Sequence, residues 1–351
     1  MEFTALPKNV YSGTYAAGHC QGIAVDTVKG YMYYSFTTVF VKTDLDGRFI
    51  GSVTGLCGHL GCIAFNPDDG RVYGSLEYKN DAIGRGIVQM LGGGIEIPDR
   101  FYMAIFDVDR IDRADMPSSE VMRCAFLREV TDDYLAEVRL ADGEILKHRH
   151  GCSGIDGTAT GPDFGEADDP APKRWLFVSY GIYGDTARAD NDYQVILKYD
   201  LAELNERSAP LKQDDMHGIG PQKPASKYFV YTGNTEYGVQ NLEYDPTSKT
   251  YLMCVYRGKK SAFPNPPMFA CDARIAPKRE VLRGVFPETV GEVLTLDGHG
   301  VDGIGFPRGD TGIAALGDGF FYVSHHGRNE EGQFTDVKLY HRTEDGGFAL
   351  V

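Results

Sequence analysis

The residues best placed for chemistry stand where short polar phrases turn apolar. Gly18-His19-Cys20-Gln21 leads into Gly22-Ile23-Ala24-Val25-Asp26, and Gly58-His59-Leu60-Gly61 leads into Cys62-Ile63-Ala64-Phe65-Asn66. His150-Gly151-Cys152 precedes Asp156-Gly157-Thr158-Ala159-Thr160. Glu236-Tyr237-Gly238 precedes Gln240-Asn241-Leu242, and His299-Gly300-Val301 precedes Asp302-Gly303-Ile304. A second polar set closes the β-rich runs that follow: Glu77, Tyr180, Tyr256, Arg257, His325 and His326. Six of the nine histidines fall in these two sets, which chance scatter does not explain.

Three chemistries can use such residues. The first is acid–base catalysis. Glu77, Asp156, Glu236 and Asp302 are the candidate carboxyls, and His325 or His326 can move protons. A glycoside hydrolase needs two carboxyls, ~5 Å apart for retention or ~6.5–9.5 Å for inversion. Gln21, Tyr180, Gln240, Asn241 and Tyr256 are candidates to bind a sugar, and Arg257 can hold the carboxylate of a sugar acid. The second is a divalent-metal site on His19, His59 and His299, with His150 as a further ligand. Imidazoles suit zinc, iron or manganese, whereas Asp, Gln and backbone oxygens suit calcium. No compact His-Glu-x-x-His motif is present. The third is binding of a ligand or protein without catalysis. The leading expectation is an enzyme that acts on a small polar substrate, a sugar or sugar acid, by hydrolysis or elimination. A metal-dependent hydrolase or lyase and a non-catalytic binding protein are the alternatives.

These residues need elements that bring five distant stretches together. After Ile23-Ala24-Val25 come Tyr31-Met32-Tyr33-Tyr34-Ser35-Phe36, Val39-Phe40-Val41-Lys42-Thr43 and Arg48-Phe49-Ile50-Gly51-Ser52-Val53, separated by Gly- and Asp-containing turns. The second phrase keeps the frame, since His19 to Ser35 and His59 to Ser75 are both sixteen residues. Four short strands per phrase, repeated, are the unit of a β-propeller blade. The expectation is all-β: one five-bladed β-propeller of four-stranded antiparallel blades over residues 1–351. The blades fall at about 18–56, 57–148, 149–233, 234–292 and 293–351, with 1–17 as a lead-in or ring-closing strand. Blade four is expected to end on Val281–Phe286. Residues 79–100 read as a long loop whose glycines permit a lid. Asp44, Asp107, Asp200 and Asp272 recur after third strands as turn starters.

Gly22-Ile23-Ala24-Val25-Asp26 and Asp44-Leu45-Asp46-Gly47 resemble NHL and gluconolactonase-type propeller repeats. The resemblance covers single blades. Those families usually carry six blades, and no residue of their metal site is matched here. His19 and His59 are also similar to the Gly-His pair with which tryptophan-aspartate propellers tie one blade to the next, a structural use.

Composition narrows the setting. A net charge of −15 argues against nucleic acid and anionic membranes as partners, although a local basic site can sit on an acidic surface. No apolar run is long enough for a membrane helix, and Met1-Glu2-Phe3-Thr4 does not read as a leader. Seven cysteines, an odd number set in apolar phrases, read as reduced buried thiols, so a cytoplasmic location is expected.

Overall fold

Each β-rich run is apolar on both faces, so each must be covered on both sides. In the computed structural model, which describes residues 3–94, 97–296 and 303–351, five blades supply that cover to one another in a ring. Alternation along a strand sends successive side chains opposite ways. Tyr33 joins a cluster shared with blade two, while Met32 and Tyr34 join one shared with blade five. Tyr251 and Met253 face blade three, while Leu252 and Cys254 face blade five. The five resulting hydrophobic clusters each lie between two adjacent blades. Aromatic rings fill the wedges. Phe40 of blade one stacks on Phe106 of blade two at 4.3 Å between centroids.

Blade one runs Cys20–Asp26, Tyr31–Phe36, Val39–Asp44 and Phe49–Thr54 from axis to rim, and blade two runs His59–Asn66, Arg71–Tyr78, Arg100–Phe106 and Met122–Phe126. Blade three runs Cys152–Gly161, Trp175–Ile182, Tyr193–Tyr199 and Ser226–Tyr231. Blade four has three strands, Glu236–Asp245, Thr250–Tyr256 and Met268–Asp272. Blade five runs Ile313–Gly317, Phe320–Asn329 and Gly332–Arg342, and the N-terminal strand Asn9–Tyr11 pairs with the last of these antiparallel. The two ends of the chain thus share one sheet. Among the turn aspartates, Asp44 accepts from the Asp46 and Arg48 amides, Asp272 from Arg274, and Asp200 caps the helix Leu201–Glu206. Asp107 makes no such cap.

Two placements differ from the sequence expectation. The stretch expected to end blade four crosses over instead. Lys278–Val281 and Val290–Leu294 form a hairpin that extends blade three to six strands, the second of them parallel to Ser226–Tyr231. The fifth inner strand is Ile313–Gly317, preceded by Thr311-Gly312, and not the segment after His299. Gly303-Ile304 lies at the outer edge of blade four, where Ile304 bridges Met268. Pro307 has no amide to give a ladder, so a strand through it is disfavoured. Residues 128–148 comprise the helix Arg128–Leu135 and a small hairpin that pairs Glu137–Arg139 with Ile145–Lys147.

Closure of the ring rests on a short strand, and this can be measured. Val10 is 1% exposed between blades five and one. Val10→Asp places an unpaired carboxylate there and is expected to cost about 3 kcal/mol or more in urea unfolding, whereas exposed Asn9→Asp is expected to stay within about 0.5 kcal/mol.

Candidate active site at one end of the axis

The inner strands carry a repeated irregularity at the axis. Pairing between first and second strands shifts register between Cys20 and Gly22, Leu60 and Ile63, Ile155 and Thr158, and Val239 and Asn241. These bulged segments contain Gln21, Gly61, Asp156 and Gln240. A bulge re-aims a side chain that a regular pleat would send between blades. Gln21, Asp156 and Gln240 accordingly line a cavity of about 310 Å³ at this end of the axis, with His19, His59, Glu77, Lys79, Tyr237 and Tyr256. Two of its non-glycine lining residues, Thr37 and Tyr237, hold left-handed backbone at φ 42° and 62°. Such positions cost energy and persist where the surroundings enforce them.

Two carboxyls cross-link blades two and three reciprocally. Glu77 Oε2 accepts from the Ile155 amide at 3.1 Å, and Asp156 Oδ1 accepts from the Cys62 amide at 3.1 Å. Two glycines make room. A Cβ on Gly154 would lie 2.0 Å from Glu77 Oε2, and one on Gly61 would lie 2.3 Å from Asp156 Oδ1. Lys79 Nζ lies 2.6 Å from Glu77 Oε1 and 3.7 Å from Asp81, and donates to Ser153 O at 2.8 Å. Burial alone would pull the Lys79 ammonium down, but Glu77 and Asp81 outweigh it and hold it raised. Burial pushes the Glu77 carboxyl up, against Lys79 and the Ile155 amide, which pull it down. Among the described residues Asp156 has no cation in contact, and burial and the neighbouring Glu77 push it well above the carboxylate range.

Burial acts on the imidazoles in the opposite direction. Burial, Lys79 and His19 press His59 down to about 3. Its Nδ1 has no hydrogen-bond partner among the described residues and lies 3.6 Å from Glu77 Oε1. His19 is lowered by burial and by His326, whose ring stands 5.7 Å away across the mouth. His326 is exposed, with Nδ1 3.3 Å from Thr311 Oγ1. Helix α1 (Ala82–Met90) covers one side, turning Ile83 and Ile87 into the cavity. Asp81 caps it by accepting from the Gly84 amide at 2.9 Å.

Several expected residues lie elsewhere. Tyr180 is fully buried between blades and donates to Asp133 at 2.9 Å, because its strand position faces a neighbouring blade. Asn241 is a brace, donating to Gln21 O at 2.8 Å and Asp310 O at 2.9 Å. Glu236 pairs with Lys259 at 2.8 Å outside the cavity lining, and Arg257 is exposed. His325 alternates away from His326 and contacts the Tyr340 hydroxyl at 2.9 Å, with burial lowering it to about 4. His150 lines a different cavity, at the outer strands of blade three. His299 and Asp302 lie outside the described residues. Among the described residues, no three His, Cys, Asp or Glu side chains gather to hold a metal.

Sequence reasoning missed Lys79, Tyr237 and helix α1. The signal for Lys79 was alternation: Glu77, Lys79 and Asp81 share one face if the strand direction continues past Tyr78. The signal for the helix was Asp81 before Ile83 and Ile87, a cap followed by an i, i+4 pair.

The fold and this cavity define the class: a five-bladed β-propeller with a buried acid–base cluster at one end of its axis. No family model matches the chain, and no curated protein matches it. Among solved structures, a protein of unknown function from Bacteroides caccae is similar at a TM-score of 0.31 and 8% identity, covering 83% of this chain and 98% of that one. A likeness at that level says nothing about chemistry. No helix among the described residues is long and apolar enough to cross a membrane.

The two shifted groups act oppositely on stability. Asp156 binds its proton more tightly folded than unfolded, so stability falls as pH rises above about 4 toward its folded value. His59 binds its proton less tightly when folded, so stability falls as pH drops from 6.5 to about 3. In urea unfolding against pH, Asp156→Asn is expected to remove the fall in stability as pH rises above about 4, and His59→Gln the fall as pH drops below 6.5, each by up to about 1.4 kcal/mol per pH unit.

Proposed function

We propose that the chain is an acid–base enzyme acting on a small neutral carbohydrate-type substrate, by hydrolysis or elimination, in the axial cavity. One observation carries the reading: Asp156, a carboxyl that burial makes hold its proton more tightly than usual, shares an accessible cavity with the imidazoles of His19 and His59, which burial makes hold theirs less tightly. A neutral carboxylic acid can give a proton that an ionised one cannot, and a neutral imidazole can take one. In this reading Asp156 is the general acid. His19, nearer the mouth than His59, is the base. His326 passes protons between His19 and solvent. Glu77 and Lys79 neutralise each other and hold the two inner strands in place.

The cavity favours a neutral substrate over a sugar acid. Arg257 is outside the lining, and Lys79 is already engaged by Glu77, Asp81 and Ser153. Tyr237 and Tyr256 offer ring edges and faces for a sugar, and Ile83 and Ile87 give one apolar wall. About 310 Å³ is at the small end for ligand sites, which suits a single sugar unit. The likeness of blade one to NHL and gluconolactonase-type repeats fits as a likeness of scaffold and brings over none of their site residues. The lack of a disulfide among the described residues fits a reducing compartment such as the cytoplasm.

The test is turnover of a panel of neutral aryl glycosides and uronides, with chelator and with added zinc, manganese or calcium. Turnover of neutral glycosides is expected. Asp156→Asn is expected to lower kcat by about 100-fold or more, and His19→Gln by a similar factor, with folding retained in circular dichroism. Full activity in Asp156→Asn, or no turnover of any neutral glycoside, overturns the reading.

A further inference from the structure

His150 is the polar centre of a second cavity, about 460 Å³, bounded by the turn Arg149–Gly151, the outer strands of blade three and the crossover hairpin. The hairpin is an addition to the blade, which already has four strands without it. His150 is 3% exposed and its Nδ1 has no hydrogen-bond partner among the described residues. A buried polar atom left unsatisfied is uncommon and costly, and it calls for a partner. The backbone that presents it is held off its preferred ground, since His148 and His150 have φ of 63° and 57°.

The charges around it decide the sign of the partner. Arg149, Lys227 and Arg279 line the cavity against two carboxylates, Asp190 and Glu292. Asp190 is already gripped by Arg188, at 2.9 Å and 2.7 Å through two nitrogens. Arg149 and Lys227 share Asp133, and Lys227 also reaches Glu129 at 2.9 Å. Arg279 forms no ion pair among the described residues, although Glu292 lies opposite it in the hairpin register. Of the three lining cations, Arg279 is thus the one without an ion pair among the described residues, and it is the group left to meet an anion. The remaining wall is apolar: Phe229, which meets the His150 ring edge-on at 5.1 Å, with Val285 and Phe286.

We propose that this cavity binds a small organic monocarboxylate with an apolar body, the carboxylate meeting Arg279, Arg149 and His150 and the body lying against Phe229 and Phe286. A guanidinium suits a carboxylate because it offers two parallel donors. The volume admits a body the size of one ring. The site lies apart from the axial cavity, and the inference does not depend on the activity proposed for that cavity.

Isothermal titration calorimetry on the full chain tests this with benzoate, phenylacetate and isovalerate as probes. At least one is expected to bind with Kd of about 1 mM or tighter. Arg279→Gln, at an exposed position, is expected to weaken it about tenfold or more. Benzamide, which keeps the ring and loses the charge, is expected to bind about tenfold more weakly than benzoate. Asp156→Asn in the other cavity is expected to leave binding unchanged. No heat with any of the three acids, equal binding by Arg279→Gln, or loss of binding in Asp156→Asn each overturns the proposal.

Discussion

The second strands of the blades, such as Tyr31–Phe36, Arg71–Tyr78 and Thr250–Tyr256, bury both of their faces, and the ring is the arrangement that lets them do so. A blade alone exposes two apolar faces. Two blades packed together still expose two. Only closure removes the last pair, and here it is made by Asn9–Tyr11 pairing beside Gly332–Arg342, so that Val10 enters the cluster between blades five and one. The apolar runs such as Tyr31-Met32-Tyr33-Tyr34 are a direct consequence, because odd and even residues serve different neighbours.

Closure leaves an axis where inner strands converge and no blade remains to cover them. Polar groups collect there because bulges turn Gln21, Asp156 and Gln240 inward instead of between blades. The same residues stabilise the ring and set its chemistry. Glu77 and Asp156 each accept an amide from the other's blade, and that exchange buries both. What distinguishes them is Lys79. Glu77 has a cation at 2.6 Å, Asp156 has none among the described residues, and only Asp156 is driven far above its ordinary range. Two carboxyls of similar depth are thereby shifted to different extents.

Additions to the repeat build what the repeat cannot. Helix α1 between the second and third strands of blade two supplies the apolar wall of the axial cavity. The crossover hairpin from blade four supplies a wall of the second cavity on blade three. Both are departures from the four-strand unit, and both place side chains against polar groups that the blades themselves leave exposed to a cavity.

The repeat was legible in the sequence because packing imposes it at every blade: Gly-Ile-Ala-Val and Gly-Cys-Ile-Ala answer the same demand for small and apolar residues at a crowded axis. His19, His59, Glu77, Asp156, Gln21 and Gln240 could be placed from that frame alone, since their positions follow from strand order. The frame failed where a segment resembled the repeat without serving it. Gly303-Ile304 reads like an inner strand, yet it lies on the edge of blade four, and Thr311-Gly312-Ile313 takes the inner place. Which face a side chain takes depends on one residue of register, so Tyr180 went to the core and His325 away from its neighbour. Spacing determined the ring and the rim on which these residues sit. The tertiary structure alone decided which of them meet, because bulges, bracing by Asn241 and the presence or lack of a nearby cation act between segments far apart in the chain.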